Sequence, residues 1–392
     1  MIDIEAVRAE TPGVAGIVHL NSAGAALMPQ PVIDAVQDHF ALEVMIDGYA
    51  ASKQRAAAQE AVYASVAELI GATPQEIALA ENSTLAWQLA FYGLSFGEGD
   101  RILTSRAEYG ANYVAFLQMR KRTGCVIDVI PDGADEATDP EALERMIDDR
   151  VKLIAITWIP TNGGLVNPAA EIGRVARAHG IPYLLDACQA VGQVPVDVVA
   201  LGCDFLAAAG RKWLRGPRGT GFLYVRKAML DRVEPAMIDH TGALWAAPDR
   251  YELRADARRY ESFEHAVALR LGLGAAVDYA RRLGIEAARD AVRANAGTLR
   301  EELSALPGVT VQDIGSEKSG LVTFSHERVA ARELADRLQA GGIQVNVSRP
   351  DSTLLDASAR RLPEIVRASP HYYNSADDLT RFLRAVREIV GT

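Results

Sequence analysis

The sequence predicts an α/β protein: a mostly parallel sheet covered by helices on both faces, followed by a smaller α+β part. Two observations carry that prediction. Short apolar runs alternate with segments of helical period from about residue 77 to 225, and such alternation builds parallel sheets. Beyond about residue 285 helices interleave with shorter strand-like runs, and the chain closes on an amphipathic helix from Ser375 to Val390. With 392 residues, 49% of them apolar, there is room and core for two domains. The expected division is an N-terminal arm at 1–20 that joins the smaller domain, a large domain at 21–265 and a small domain at 266–392.

Residues 1 to about 18 read as a short helical arm, followed by the small-residue segment Val18 to Ala26, a turn by composition. Helical period returns from Gln30 to Ile46 and from Gln59 to Ile70. A strand, a polar turn and a helix follow from Ile77 to Phe91. Asn82, Ser83 and Thr84 fall at the helix start, where hydroxyls and free N–H groups both cap the helix and form an anion site. Arg101 to Tyr113 repeats the pattern of a strand and a helix start. Val126 to Ile130 and Leu153 to Trp158 are further apolar strands, the second opening into a loop, Pro160 to Pro168, and then a helix, Ala169 to His179.

Ile181 to Leu185 is a short apolar run bounded by Gly180 and Pro182, hence a buried strand; it ends on Asp186, with Gln189 three residues on. A second run, Asp204 to Ala209, ends in Gly210, Arg211 and Lys212. Open α/β sheets bind ligands at the C-terminal tips of their strands. An acid at one tip and a lysine at another suit one chemistry: the lysine holds an aldehyde as a Schiff base, and the acid pairs with a pyridinium nitrogen. That is the pattern of a pyridoxal 5'-phosphate (PLP) enzyme. Downstream, Tyr251 to His265 is charged and reads as a solvated interface strand, Ala266 to Gly284 as a long linking helix, and Gly320 to Ser325 and Ile343 to Val347 as strands of the smaller domain.

Composition narrows the partners. A formal net charge of −10 argues against a nucleic-acid partner, because phosphate binding is driven by clustered cations. No uncharged apolar stretch approaches the roughly eighteen residues of a membrane span. Met1 to Glu5 lacks the basic start and apolar core of a signal peptide, so a cytoplasmic location is expected. Cys125, Cys188 and Cys203 form neither a disulfide framework nor a metal motif.

Asp186, Gln189, Lys212 and the run Gly216-Pro-Arg-Gly-Thr-Gly221 resemble the class V aminotransferase family, which includes cysteine desulfurases, selenocysteine lyases and isopenicillin N epimerase-like proteins. The resemblance covers nearly the whole chain. It implies a fold-type I PLP-dependent transferase, with a seven-stranded type of large sheet, acting as a homodimer on a small amino-acid substrate. It also implies roles. Lys212 is the Schiff-base lysine and general base, Asp186 holds the ring nitrogen, Gln189 bonds the phenolic oxygen, and Ser83 and Thr84 hold the phosphate. Thr161 or Asn162 approaches the cofactor hydroxyl, Arg367 clamps the substrate carboxylate, and Asn21 enters the site beside the substrate.

Four departures from the family pattern qualify the chemistry. Asn82 replaces the glycine of the phosphate turn, and Tyr109 stands where an imidazole stacks on the ring. A phenol stacks as well, but with an ordinary pKa of about 10 it shuttles protons less readily near neutrality. Arg211 replaces the histidine before the lysine, and a cation there lowers the lysine's pKa. The loop Ser348 to Asp356 holds no cysteine, so the family's persulfide route lacks its thiolate, while Arg349 offers an added cation for substrate. The expected activity is therefore cleavage of a C–S bond in a cysteine-like amino acid or conjugate by β-elimination. An aminotransferase or an epimerase is the alternative; decarboxylative or carbon–carbon-forming chemistry and a non-catalytic PLP-binding regulator follow.

Overall fold

The computed structural model describes residues 2–391. Its large sheet has seven strands: β1 (Ile77–Ala80), β2 (Arg101–Thr104), β3 (Val126–Val129), β4 (Val151–Thr157), β5 (Tyr183–Asp186), β6 (Phe205–Ala209) and β7 (Gly221–Val225). Their spatial order is β1-β7-β6-β5-β4-β2-β3. Strands β2 to β6 pair parallel, and β7 runs antiparallel to both of its neighbours.

Successive side chains of a strand point to opposite faces, and here both faces are dry. Leu79, Leu103, Ile154, Leu185 and Phe222 belong to one core. Ala78, Ile102, Leu153, Leu184 and Leu223, one residue away along the same strands, belong to the other. Double burial explains why these strands read as unbroken apolar runs rather than as alternating ones.

A second sheet lies toward the C-terminus: β8 (Val309–Val311), β9 (Val322–His326), β10 (Asn346–Ser348) and β11 (Ile365–Ala368), in the order β8-β9-β11-β10 and antiparallel throughout. The helix Ala376–Val390 covers it through Leu379, Phe382, Leu383 and Val386. Val18 and Leu20 are buried in the same core, and Val18–His19 pairs in parallel with Ile343–Gln344. The helix Val267–Leu283, expected in the smaller domain, packs instead on the helices Gln30–Ile46 and Ala56–Ile70. Its Leu273, Val277 and Ala280 join the core of the large sheet. Its apolar face matches both cores in character, and Gly272 and Gly274 admit Val36 and Val62 side chains closely enough to fix the choice.

Candidate active site

The parallel strands deliver their C-terminal ends to one edge. Asp186 closes β5, Thr157 closes β4, the segment after β2 carries Glu108 and Tyr109, and the segment after β6 carries Arg211 and Lys212. Asp186 is buried, and two donors reach it: Asn112 Nδ2 donates to Oδ2 at 2.8 Å and the Cys188 N–H to Oδ1 at 2.9 Å. Burial raises its pKa, opposed by the Asn112 and Cys188 hydrogen bonds and by the nearby Lys212 charge. A dry carboxylate with no cation at ion-pair distance among the described residues is an incomplete arrangement; a cationic ligand atom would complete it.

The lysine turn is rigid. Arg215 N donates to Lys212 O at 2.9 Å, Gly216 N to Gly210 O at 2.8 Å, and Gly210 N to Thr220 O at 3.0 Å. A Cβ on Gly210 would stand 2.2 Å from Thr220 Oγ1, so only glycine closes this turn. Gln189 is held inside the protein: its Nε2 donates to Ala23 O at 3.1 Å and its Oε1 accepts from Trp213 Nε1 at 2.8 Å.

Ser83 and Thr84 open the helix Ser83–Gly93, whose cap is Asn82, its Oδ1 accepting from Leu85 N at 2.8 Å. The Ser83 hydroxyl lies 3.0 Å from Cys188 Sγ, which links the helix start to the Asp186 turn. Asn82 does the work of a cap here, which explains why a side chain is tolerated where the family has glycine. Tyr109 is the cap residue of the helix Gly110–Thr123; its ring is 37% exposed, and burial raises the phenol's pKa, so it stays neutral.

Arg367 comes from the other sheet. In β11, Val366 and Ala368 face the C-terminal core, so Arg367 between them points the opposite way, toward the large domain. Its Nη1 donates to Thr161 Oγ1 at 2.6 Å and to Thr161 O at 3.2 Å, while its Nε has no partner. No carboxylate among the described residues pairs with it. Burial, and then the like charge of Arg211, lower its pKa to about 10, which leaves it a cation at neutral pH. Thr161 is thus committed to Arg367, whereas Asn162 donates to Thr353 Oγ1 at 3.1 Å and keeps a buried, unpartnered Oδ1.

Asn21 lies in the same neighbourhood, bridged to Ser369 two residues beyond Arg367, and its Oδ1 is also buried without a partner. Arg211 has no ion pair among the described residues, and its carbonyl accepts from Ala26 N at 2.9 Å. Arg349 is not drawn in: its guanidinium is exposed and pairs with Asp351 at 2.8 Å.

Sequence reasoning passed over Glu108 as a participant and missed Asn112 altogether. Glu108 is fully buried and gathers donors from Thr157 Oγ1 (2.6 Å), Thr157 N (2.9 Å), Asn112 Nδ2 (2.8 Å) and Tyr109 N (3.0 Å). Burial pushes its pKa up to about 7 against those hydrogen bonds. The signal was present: Glu108 and Asn112 stand four apart at a helix start, the spacing that puts two side chains on one face.

The family model described as aminotransferase class-V matches residues 18–382. A cysteine desulfurase of Yersinia pestis is 32% identical, the match covering 98% of this chain and 98% of that protein. A probable cysteine desulfurase of Methanothermobacter thermautotrophicus is 29% identical over 99% of this chain and 98% of the relative. Among solved structures, the apo cysteine desulfurase of Thermococcus onnurineus NA1 superposes with a TM-score of 0.93 at 26% identity, covering 100% of this chain and 99% of that one.

Proposed function

This chain belongs to the class-V aminotransferase family, and from that premise we propose that it is a lyase cleaving the C–S bond of a cysteine-like amino acid or its thioether conjugate. It is a PLP-dependent enzyme related to the cysteine desulfurases. The donor set fits that cofactor. Asp186 is a buried carboxylate awaiting a cation, Gly221 leaves room at the helix start where a Cβ would meet Asn82 C at 2.8 Å, and Lys212 follows the closed turn. Lys212 would hold the aldehyde, Asp186 the ring nitrogen, Ser83 and Thr84 the phosphate, and Gln189 with Asn162 the phenolic oxygen. Tyr109 would lie against the ring, with Arg211 beside the lysine.

When bound, PLP supplies an electron sink for the pair left on Cα after deprotonation. The residues do the rest. Arg367 clamps the α-carboxylate, its planar guanidinium suiting a bidentate contact, and Asn21 lines the same side. Lys212, released as a free amine, takes the Cα proton, with Arg211 next to it in the chain. The Cβ–S bond then breaks, the sulfur leaves as a thiol after accepting a proton, and one water balances release of pyruvate and ammonia.

One observation carries the lyase reading over a desulfurase: the loop Ser348 to Asp356 offers hydroxyls and carboxylates but no thiol to accept sulfur. Incubation of the PLP-loaded protein with cysteine conjugates should release pyruvate and a free thiol in equal amounts, and Lys212→Ala should abolish both. Conversion of the cofactor to its amine with a matching 2-oxo acid would make the enzyme an aminotransferase, and Cα deuterium exchange without cleavage an epimerase.

A homodimer forms part of the same proposal. Val44, Met45 and Tyr49, 85%, 78% and 77% exposed, make an apolar patch on adjacent helices, and Trp245 stands out 76% exposed on the hairpin Ala243–Leu253. Patches of this kind mark association surfaces. A single-chain mass by light scattering would remove this part of the proposal.

A further inference from the structure

Behind Asp186 lies a second acid that the chemistry above does not use. The Asn112 amide stands between two buried carboxylates, its one NH₂ group donating to Glu108 Oε1 at 2.8 Å and to Asp186 Oδ2 at 2.8 Å. Both NH₂ protons are thereby spent. Glu108 is in turn fixed from the strand tips, by Thr157 Oγ1 and N at 2.6 and 2.9 Å and by Thr104 Oγ1 at 3.2 Å, and no cation among the described residues neutralises it. Native interiors rarely hold a carboxylate in this way unless it has a task.

We propose that Glu108 is a positioning residue that keeps Asp186 an anion aimed at the cofactor's ring nitrogen, acting through the Asn112 amide. The inference rests on the PLP reading of the site. Asn112 has an NH₂ end and a carbonyl end, and only the NH₂ end suits Asp186 as a carboxylate. Glu108, an acceptor when ionised, selects that orientation, because a flipped amide would set its carbonyl against two carboxylates. The negative charge itself raises the proton affinity of Asp186 as well as that of any nitrogen it holds, so the hydrogen bond from the oriented Asn112 amide, which favours the Asp186 anion, carries the effect. Tyr183, Tyr109 and Lys212 are the other titratable groups whose charges bear on this pair.

The test uses the holoenzyme loaded with PLP carrying ¹⁵N in the ring, and the near-isosteric variant Glu108→Gln. The ring-nitrogen resonance should sit at its protonated position in the parent and move toward the unprotonated one in the variant, with kcat about tenfold lower and KM unchanged. An unshifted resonance with the cofactor bound would overturn the proposal, whatever happens to melting temperature, since a merely structural role would move only the latter. Should Glu108→Gln fail to fold, Asn112→Ala, which severs the bridge and leaves Glu108 in place, decides by the same resonance. Failure of the parent protein to take up PLP would instead sink the cofactor reading, so the two failures are distinguishable.

Discussion

At the scale of single residues the site is a set of unfinished interactions. Arg367 is a buried cation whose only partner among the described residues is Thr161, and its Nε is unsatisfied. Desolvating an unpaired charge is costly, and the fall of its pKa to about 10 is the imprint of that cost. Arg367→Met should therefore raise the stability of the substrate-free protein, on the order of 1–3 kcal/mol. The same change should raise KM for amino-acid substrates by two orders of magnitude or more, since a desolvated charge-assisted pair is lost. Denaturant titration set beside steady-state kinetics checks both halves, and a destabilised variant with normal KM would assign Arg367 to the scaffold. Its role was expected from the resemblance of the segment around it to the family's strand, and what its side chain faces, Thr161, only the fold brings to it. The spacing of Asn112 from Glu108 was readable, but its bond to Asp186 was not, because Asp186 closes a different strand that only the folded sheet brings beside it.

At the scale of elements, the helix Ser83–Gly93 starts against β7. Gly221, the first residue of β7, lies so close that a Cβ would meet Ala208 O at 2.7 Å, Asn82 C at 2.8 Å and Ser83 N at 3.0 Å. The two backbones cannot separate to make room, because β7 is hydrogen-bonded to β1 and β6 along its length. Gly221→Ala should push the helix start outward and weaken PLP binding at least tenfold, while Asn82→Gly, a nearly neutral cap exchange, should leave affinity and stability close to the parent's. Fluorescence titration with PLP distinguishes them, and equal affinity in all three proteins would separate the helix start from the phosphate. The strands and this helix were legible because doubly buried parallel strands are unbroken apolar runs bounded by polar turns. The helix Val267–Leu283 read as a link between the domains, and its packing on the large-sheet core was not legible, because its period shows that it has an apolar face, not which partner the face meets. The loop around Thr161 and Asn162 stayed ambiguous by one residue for the converse reason: neither period nor caps fix a register where the backbone is irregular.

At the scale of the whole molecule, one side chain ties together three stretches of chain that are distant in sequence. Arg215, three residues after the lysine, is wholly buried and sits at φ 62°, a left-handed conformation unusual outside glycine. Its guanidinium donates to Leu27 O at 2.7 Å, to Thr11 Oγ1 at 2.6 Å and to Tyr372 OH at 3.3 Å. It also lies 4.8–5.4 Å from the ring centres of Tyr279, Tyr372 and Tyr373. Tyr373 reaches on from there to His19 and Ser22. The N-terminal arm, the lysine turn and the segment following Arg367 therefore share one cation that has aromatic faces and neutral acceptors but no counter-ion among the described residues. A planar five-donor fork can serve this geometry and an ammonium cannot. Arg215→Lys should keep the charge, lose the fork and cost about 2–4 kcal/mol. The loss should appear first at the two stretches Arg215 itself bonds, around Thr11 and Leu27, which flank the strand pair at Val18–His19. Limited proteolysis of the variant should cut within residues 11–28 while both sheets stay protected, and PLP should dissociate faster because the Lys212 turn is anchored through the same residue. Uniform loosening of the whole chain, or an arm as resistant as the parent's, would show that the two domains are joined through their cores and that Arg215 merely fills space between them.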